Sequence, residues 1–219
     1  MLRSLSLKAV VIAVALPVIS LCPASWGGGS SAVLTSAFAQ PVSTQTSTIS
    51  DPVGDTSFNA PAFQDIVLGQ MTKTASGDFE LLMEMAGPVP VAPPMPPPAN
   101  QQMWWVWGFD LDPTTLPKGY PDAPGRALAV EFIVYVSWNG TAFAGTAVDR
   151  RPLLTGGAAI IIPVPFSING TIVEAVLPST LIGDVPPSFG WHINTIDWAG
   201  PTGSGSYLFA DEAAFSTFP

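Results

Sequence analysis

One stretch of this sequence, from Trp104 to Asp112, holds three tryptophans and a phenylalanine within nine residues. Bulky aromatic and branched side chains favour a β-strand, because they fill a pleated, half-buried surface. Side chains alternate across a strand, so Trp105, Trp107 and Phe109 fall on one face, which a core must cover. The two aspartates of the stretch fall on the other face, at its end. The stretch therefore predicts an aromatic strand that runs into an acidic loop.

The same two-residue alternation recurs along the chain. Phe79 to Met85 and Ala129 to Trp138 each place apolar residues on one face and polar residues on the other. Further short strands are predicted up to Tyr207 to Phe209, with turn residues at short intervals and one helical turn over Pro178 to Gly183. The pattern predicts an all-β fold, namely an antiparallel β-sandwich of about eight to ten strands with little helix, of the jelly-roll or immunoglobulin-like type.

The first 39 residues predict a secretory signal peptide. Arg3 and Lys8 precede an uncharged apolar run from Ala9 to Leu21, which is short for a bilayer span, and Ala37-Phe38-Ala39 matches a small-x-small cleavage pattern. Cleavage near Ala24 is the alternative. We therefore expect an exported protein, periplasmic or extracellular, without a membrane span in the mature chain.

The mature chain is predicted to form one domain over residues 51–219. Residues 40–50 are rich in Ser, Thr and Gln and are predicted to be a flexible approach to it. Residues 88–98 hold seven prolines, which cannot join a sheet ladder and favour polyproline II. We interpret this segment as a stiff surface loop, with docking of another protein as the alternative.

The charge of the mature chain limits its partners. All sixteen acidic residues follow residue 50, whereas two of the seven basic residues lie in the leader. Binding to nucleic acid or anionic lipid requires clustered Lys and Arg, so the charge argues against both. Cations and neutral ligands such as sugars are compatible with it. Cys22, the single cysteine, also lies in the leader, so no disulfide or thiol chemistry is expected in the mature protein.

Several short motifs follow one another in a definite order along the chain. An Asp-Pro-x-Gly-Asp turn and an Asp-Ile strand come first, and an aspartate-rich loop, a long alternating strand, a Pro-x-Ser-x-Leu-Gly-like turn and an Asp near a Pro come next. Their positions are Asp51–Asp55, Asp65–Ile66, Phe109–Gly119, Glu131–Trp138, Leu177–Gly183 and Asp197–Pro201. This order resembles that of the superfamily of exported β-sandwiches that includes DOMON domains and family 9 carbohydrate-binding modules. The resemblance implies a binding module for carbohydrate or cell-envelope glycan.

Asp51, Asp55 and Asp65 are the candidate metal ligands. Calcium takes six to eight oxygen ligands, which carboxylates on a turning loop can supply. Calcium of this kind occurs in the carbohydrate-binding relatives, so the resemblance adds to this prediction. The alternative is that Asp51 and Asp55 cap turns through their own backbone. Asp110 and Asp112 form a second, weaker candidate.

Trp104, Tyr120 and Trp198 are the candidate ligand-binding residues, because sugars stack on exposed aromatic faces. Core packing is the alternative for each. The predicted function is an exported, non-catalytic binding module for a glycan, stabilised by calcium. A structural or assembly protein of the cell envelope, which meets another protein through its surface, is the competing interpretation.

Haem binding is a third interpretation. Haem-binding DOMON relatives use a methionine and a histidine as axial ligands, which implies His192, the only histidine, with a methionine from Met71, Met83, Met85 or Met103. Met83 and Met85 share the core face of their strand, which suits packing better, so haem is not the favoured cofactor. The sequence contains no nucleophile elbow, zinc motif or phosphate loop, and no enzymatic activity is predicted.

Overall fold

The computed structural model describes residues 44–95, 102–112, 130–199 and 206–219, except for the side chains of residues 198, 199, 206 and 207. The predicted leader over residues 1–39 and the candidate residue Tyr120 lie outside these ranges, as does the end of the proline-rich segment.

The described residues form twelve strands, which build two sheets. Their bounds are Gln45–Ser50 (β1), Ile66–Lys73 (β2), Phe79–Met85 (β3), Gln102–Asp110 (β4), Phe132–Trp138 (β5), Phe143–Asp149 (β6), Ile160–Pro163 (β7), Phe166–Asn169 (β8), Ile172–Leu177 (β9), Phe189–Ala199 (β10), Ser206–Glu212 (β11) and Ser216–Phe218 (β12). The five-stranded sheet has the order β1-β2-β3-β9-β8. The seven-stranded sheet has the order β11-β10-β4-β5-β6-β7, with β12 also paired to β10.

The prediction of an all-β, antiparallel sandwich is confirmed, with twelve strands where eight to ten were expected. The prediction of a flexible segment over residues 40–50 is wrong for Gln45–Ser50, which forms strand β1 and pairs with β2. Its Thr and Ile residues suit a strand, and its polar composition suits the edge of a sheet. Ser47 and Ile49 of this strand are buried against the sandwich.

One hydrophobic core lies between the two sheets. Trp105, Trp107 and Phe109 are fully buried in it, as the alternation predicts. Phe79 from the five-stranded sheet packs edge-on against Phe109, with ring centroids 5.9 Å apart. A buried indole removes on the order of 200 Å² from water, so each contributes about 5 kcal/mol as an upper estimate.

Two of the indole N–H groups in this core donate hydrogen bonds across it, whereas Nε1 of Trp138 has no partner among the described residues. Nε1 of Trp105 donates to the carbonyl of Phe63 at 3.0 Å, and Nε1 of Trp191 donates to Oγ of Ser47, also at 3.0 Å. A buried donor without a partner would be destabilising, so these contacts fix the rings in one orientation. The second contact also joins β1 to the core.

Helix is limited in the described residues to one α-helical turn, Ser179–Ile182 (α1), and two 3₁₀ segments, Ser57–Asn59 and Arg151–Thr155. Oδ1 of Asp78 accepts a hydrogen bond from the backbone N–H of Ser179 at 2.8 Å, which caps α1. In the described part of the chain, no helix combines the length and apolar content that crossing a bilayer requires.

The described part of the proline-rich segment runs along the surface of the sandwich. Val89 is buried and Met95 packs against the core, whereas Val91 is 93% exposed. Alternate anchoring of this kind fits the interpretation as a surface loop. Docking of another protein on it stays a prediction.

Candidate functional site

A pocket of about 310 Å³ lies on one side of the seven-stranded sheet. Trp104, Val106 and Gly108 of β4 line it. These positions alternate along the strand with Trp105 and Trp107, which face the core. The pocket therefore lies on the outer face of the sheet, away from the core, and we call it the outer-face pocket.

The strand order explains how this pocket forms. β10, β4, β5 and β6 lie side by side although β10 is distant from the others in sequence. Asn194 pairs with Val106, and Val106 pairs with Tyr135, so outward residues of three strands form one row. At a strand spacing of about 4.8 Å, this row is about 10 Å long. Ile161 of β7 and Leu153 of the 3₁₀ segment close the far side.

Most of the pocket wall is apolar. Val106 and Ile196 are only 5% and 7% exposed, although neither belongs to the core between the sheets. The outer face of an antiparallel sheet is commonly solvated and polar, so burial there is unusual. The other aliphatic residues of the wall are Val130, Ile133, Val148, Leu153, Ala159 and Ile161.

His192 lies across the backbone of Gly108, with which it is paired between β10 and β4. A Cβ atom at position 108 would overlap the imidazole ring. Glycine is therefore the residue that lets the ring lie flat on the sheet. Phe215 packs against the same ring, with centroids 4.9 Å apart. These contacts hold the imidazole in the pocket wall.

Asn194 is the neighbouring polar residue of β10 in the pocket. It is 3% exposed, and within the described ranges its amide oxygen accepts no hydrogen bond. Most buried polar atoms in proteins are paired, and a buried group without a partner costs about 1–3 kcal/mol. A hydrogen-bond donor on a ligand would remove this cost. The pocket thus contains a polar group that has no assigned role in the fold.

Trp104, a predicted ligand-binding residue, is half-buried in the pocket wall. Its indole stacks on Tyr135 with centroids 4.8 Å apart and an interplanar angle of 15°. Nε1 of Trp104 donates to Oε1 of Gln102 at 2.6 Å. Burial raises the pKa of Tyr135, and a hydrogen bond with Thr146 opposes that rise. Because Tyr135 covers one face of the indole, at most the other face can meet a ligand.

Two buried charged residues lie near one end of the pocket. Arg150 lines the pocket and is 4% exposed, and its backbone N–H donates to the carbonyl of Glu131 at 2.9 Å. The Glu131 carboxylate accepts hydrogen bonds from the backbone N–H groups of Leu111 at 2.7 Å and Asp112 at 3.3 Å. Burial raises the pKa of Glu131, while these hydrogen bonds oppose the rise. The Glu131 carboxylate therefore fixes the chain where β4 ends.

A separate group of carboxylates joins the end of β1 to the end of β11. Oxygens of Asp51, Asp55 and Asp211 lie within 4.8 Å of one another. The Asp211 carboxylate also accepts hydrogen bonds from the backbone N–H groups of Ile66 at 2.6 Å and Glu212 at 2.8 Å. We call these three aspartates the acid cluster. Within the part of the chain that the structure describes, this is the one group of three side chains spaced to hold a metal.

Asp51 and Asp211 of the acid cluster bind protons more tightly than isolated carboxylates do. Burial, together with the neighbouring carboxylates, raises the pKa of Asp51 to about 6. The pKa of Asp211 also rises to about 6, chiefly because of burial. When two carboxyl groups are too close for both to be ionised, the pair holds one proton between them, as carboxylate pairs do in other proteins.

The predicted metal ligands are brought together in part. Asp51 and Asp55 meet Asp211, a residue that the sequence prediction did not include. Asp65 lies close by, but both of its carboxylate oxygens accept from the backbone N–H of Gly54, at 3.2 and 2.9 Å. Asp65 therefore stabilises the turn after β1. Calcium at the acid cluster stays a prediction.

The other predicted residues are not brought together. Trp198 pairs through its backbone with Gln102, and its side chain lies outside the described part of the structure. His192 lies on the outer face of the seven-stranded sheet, whereas the four candidate methionines are buried in the core between the sheets. The sheet therefore separates His192 from Met71, Met83, Met85 and Met103.

Sequence reasoning missed Asn194, Gly108 and Asp211. Asn194 and Gly108 occupy outward positions of their strands, where polar or small residues are expected in any sandwich. A glycine in the middle of an aromatic strand was the available signal, because it often marks the close approach of another group. The sequence alone favours a loop or helix-cap position for Asp211, and its strand position depends on the pairing of β10 with β11.

No family model matches this chain, and neither a curated protein nor a solved structure matches it. The resemblance to DOMON domains and family 9 carbohydrate-binding modules therefore stays a prediction, and the function of the chain has to be inferred from the geometry of the outer-face pocket and the acid cluster.

Proposed function

We propose that this protein is a non-catalytic binding module that takes a small, largely apolar ligand into the outer-face pocket. The observation that carries the proposal is the buried amide oxygen of Asn194 in an apolar pocket of about 310 Å³. Ligand sites are typically apolar clefts of about 300–1,000 Å³ with a few polar groups that orient the ligand. The outer-face pocket has both properties.

The composition of the wall favours an apolar ligand over a sugar. Each sugar hydroxyl that enters a pocket needs a hydrogen-bond partner, because burying it without one is unfavourable. Most of the wall is formed by Val106, Ile196 and the six other aliphatic residues. Its main polar side chains are those of Asn194, His192, Arg150 and Glu212. An apolar body can fill this pocket while one polar group meets the residues of β10.

Carbohydrate binding is the second candidate function, and the stacked pair of Trp104 and Tyr135 favours it. An aromatic pair at the mouth of a pocket can hold the apolar face of a sugar ring. In this case the ligand would lie over the indole face that Tyr135 leaves uncovered, and the aliphatic residues of the pocket wall would contribute less to the binding affinity.

Isothermal titration of the purified protein with 2-methylnaphthalene tests the proposal. This rigid, uncharged hydrocarbon matches the apolar wall and carries no hydrogen-bonding group. We expect saturable binding with one site per chain and a negative heat-capacity change, which marks the burial of apolar surface. Absence of saturable binding by this probe and by other apolar ring compounds of similar size would refute a small-ligand site in the pocket.

Retention on immobilised polysaccharides tests the carbohydrate candidate. Trp104→Ala should abolish retention, whereas Phe166→Ala should not, because Phe166 is a partly exposed aromatic residue of the other sheet. Export is a separate prediction from the first 39 residues, and N-terminal sequencing of the secreted protein checks both the export and the cleavage site.

A further inference from the structure

We infer that the natural ligand is an uncharged apolar molecule with one hydrogen-bond donor, such as a phenol or an alicyclic alcohol, which donates to Oδ1 of Asn194. The inference rests on the proposed function and adds the polarity and orientation of the ligand. In this arrangement the polar end of the ligand lies against β10, and its apolar body extends across β4, β5 and β6.

The strand order gives the pocket two unlike sides. The polar residues His192 and Asn194 lie two positions apart on β10, so their side chains are about 7 Å apart on the same face. Glu212 pairs with Asn194 from β11, on the far side of β10. In the opposite direction the outward residues are mostly aliphatic, among them Val106, Ile133 and Val148, with Tyr135 in the same row as Val106 and Arg150 just past the end of β6. A ligand that matches both sides therefore places its hydrogen-bond donor against β10 and its apolar body against the aliphatic residues.

The missing hydrogen bond determines the kind of polar group. An amide oxygen can only accept, so a ligand must donate to it. A hydroxyl or a neutral N–H does so at a modest desolvation cost, whereas a charged ammonium group would lose much more hydration in an apolar pocket. The side chain of Asn194 is nine-tenths buried or more, so bulk water is a poor substitute for the ligand.

The orientation of the polar side depends on packing around His192. Because the imidazole lies over Gly108 and against Phe215, it forms a fixed wall next to Asn194. This wall restricts the directions from which a donor can approach the amide oxygen. Asn194 is accordingly the residue that determines ligand polarity, and His192 is a positioning residue.

The test compares 2-naphthol, which can donate a hydrogen bond, with 2-methylnaphthalene, which cannot. The hydrocarbon leaves water more readily than the alcohol does, so the two affinities are not compared directly. The readout is the affinity for 2-naphthol divided by the affinity for 2-methylnaphthalene, measured in the wild type and in Asn194→Leu. We expect the relative affinity for 2-naphthol to fall about fivefold or more in the variant, the size of one lost hydrogen bond. The ratio cancels any effect of the substitution on how the naphthalene body fits the pocket.

Asn169→Leu is the matched control, since Asn169 is exposed at the end of β8 in the other sheet. This variant should keep the wild-type ratio. A third probe, 2-methoxynaphthalene, retains the oxygen atom but cannot donate a hydrogen bond. After correction for water–octanol partition, it should bind the wild-type protein more weakly than 2-naphthol does. This comparison holds even if Asn194→Leu fails to fold.

The outcomes separate the two levels of the proposal. If both naphthalenes bind and the ratio is the same in Asn194→Leu and the wild type, the inferred donor is wrong while the pocket remains a ligand site. If neither probe binds the wild type, the proposed function itself fails. A lower ratio in Asn194→Leu, with the ratio of Asn169→Leu unchanged, supports both.

Discussion

The outer-face pocket and the acid cluster both hold buried polar groups, but the protein satisfies them differently. In the acid cluster, Asp211 accepts two backbone hydrogen bonds, and the raised pKa values allow Asp51 and Asp211 to share a proton. In the pocket, the amide oxygen of Asn194 has no such partner among the described residues.

This difference determines which region points to a ligand. Oδ2 of Asp51 also has no hydrogen-bond partner among the described residues, but a carboxyl group can lower the cost of its burial by taking up a proton, as the raised pKa values of Asp51 and Asp211 indicate. The proximity of these carboxylates alone therefore does not require a metal. A neutral amide oxygen has no comparable way to reduce the cost of its burial, because it cannot be protonated at ordinary pH. The pocket, although less charged, therefore carries the stronger functional inference.

The largest expected effect comes from filling the pocket. Val148 is half-buried in the pocket wall, and Val148→Trp should reduce the affinity for 2-methylnaphthalene at least about thirtyfold, since the new indole occupies the space of the probe. Titration calorimetry measures the loss.

Val176→Trp provides the comparison, because Val176 is also a half-buried valine that lines a hollow, but on the outer face of the five-stranded sheet. That hollow is lined by Gln70, Glu80 and Glu174 among others, so it is more polar. Affinity should change less than about twofold. Equal losses in the two variants would show that the probe binds without preference for the outer-face pocket.

The next effect concerns the packing of His192 on Gly108. Gly108→Ala forces the imidazole to move and should lower the free energy of unfolding by about 1–3 kcal/mol, the usual range for overpacking. Denaturant unfolding measures the change. Gly190→Ala, on the paired strand, places its Cβ 3.3 Å from Cβ of Asp110 and should cost less than about 1 kcal/mol. Similar decreases in the free energy of unfolding for Gly108→Ala and Gly190→Ala would mean that His192 is not held against the sheet.

The stability that the acid cluster contributes should decrease as the pH rises, whereas the stability contributed by ion-paired carboxylates increases. The pKa values of Asp51 and Asp211 are raised from 3.8 to about 6. The folded state therefore binds protons more tightly than the unfolded state. The contribution of Asp51 and Asp211 to the free energy of unfolding is fully present at a pH below their pKa in the unfolded chain. It is lost as the pH rises through about 6, their pKa in the folded protein. Discounted for partial solvent exposure of Asp51, it is on the order of 1–2 kcal/mol.

Asp211→Asn isolates this contribution from other carboxyl groups. Burial also raises the pKa of Asp197, whereas the pKa values of Asp149 and Asp78 are lowered, so the pH profile of the wild type is a composite. We expect thermal unfolding of the variant to depend less on pH between about 4 and 7 than that of the wild type. Parallel profiles would exclude proton sharing in the cluster.

The smallest effect is the one expected from calcium. Calcium binds ionised carboxylates, so the calcium interpretation predicts a rise of a few degrees in the midpoint of unfolding with about 1 mM calcium near pH 7.5, and little rise near pH 5. Chelator should reverse it. An unchanged midpoint at both pH values would remove calcium and leave the acid cluster as a proton-binding site.

The inward half of the fold could be predicted because alternation identifies it directly. Trp105, Trp107 and Phe109 had to share one face, and an aromatic face of that size requires a core. The turn around Asp51 and Asp55 was also readable, since Asp, Pro and Gly at that spacing favour a turn. Both inferences depend on neighbours in sequence.

The outer-face pocket could not be predicted, because it depends on which strands become neighbours. Asn194 meets Val106 only because β10 pairs with β4, across more than eighty residues of sequence. Strict alternation would also place Phe209 and Glu212 on opposite faces of β11. A register shift opposite Thr195 and Ile196 inserts one extra residue, so both line the pocket.

The most direct test of an outer-face ligand site is the response of the tryptophan indole N–H signals in a ¹H–¹⁵N spectrum during titration with 2-methylnaphthalene. Trp104 lines the pocket, whereas Trp105, Trp107 and Trp191 are fully buried in the core. We predict that the Trp104 signal moves most and saturates with the calorimetric affinity. Saturable binding with an unchanged Trp104 signal, or with larger shifts at the core indoles, would contradict a site on the outer face.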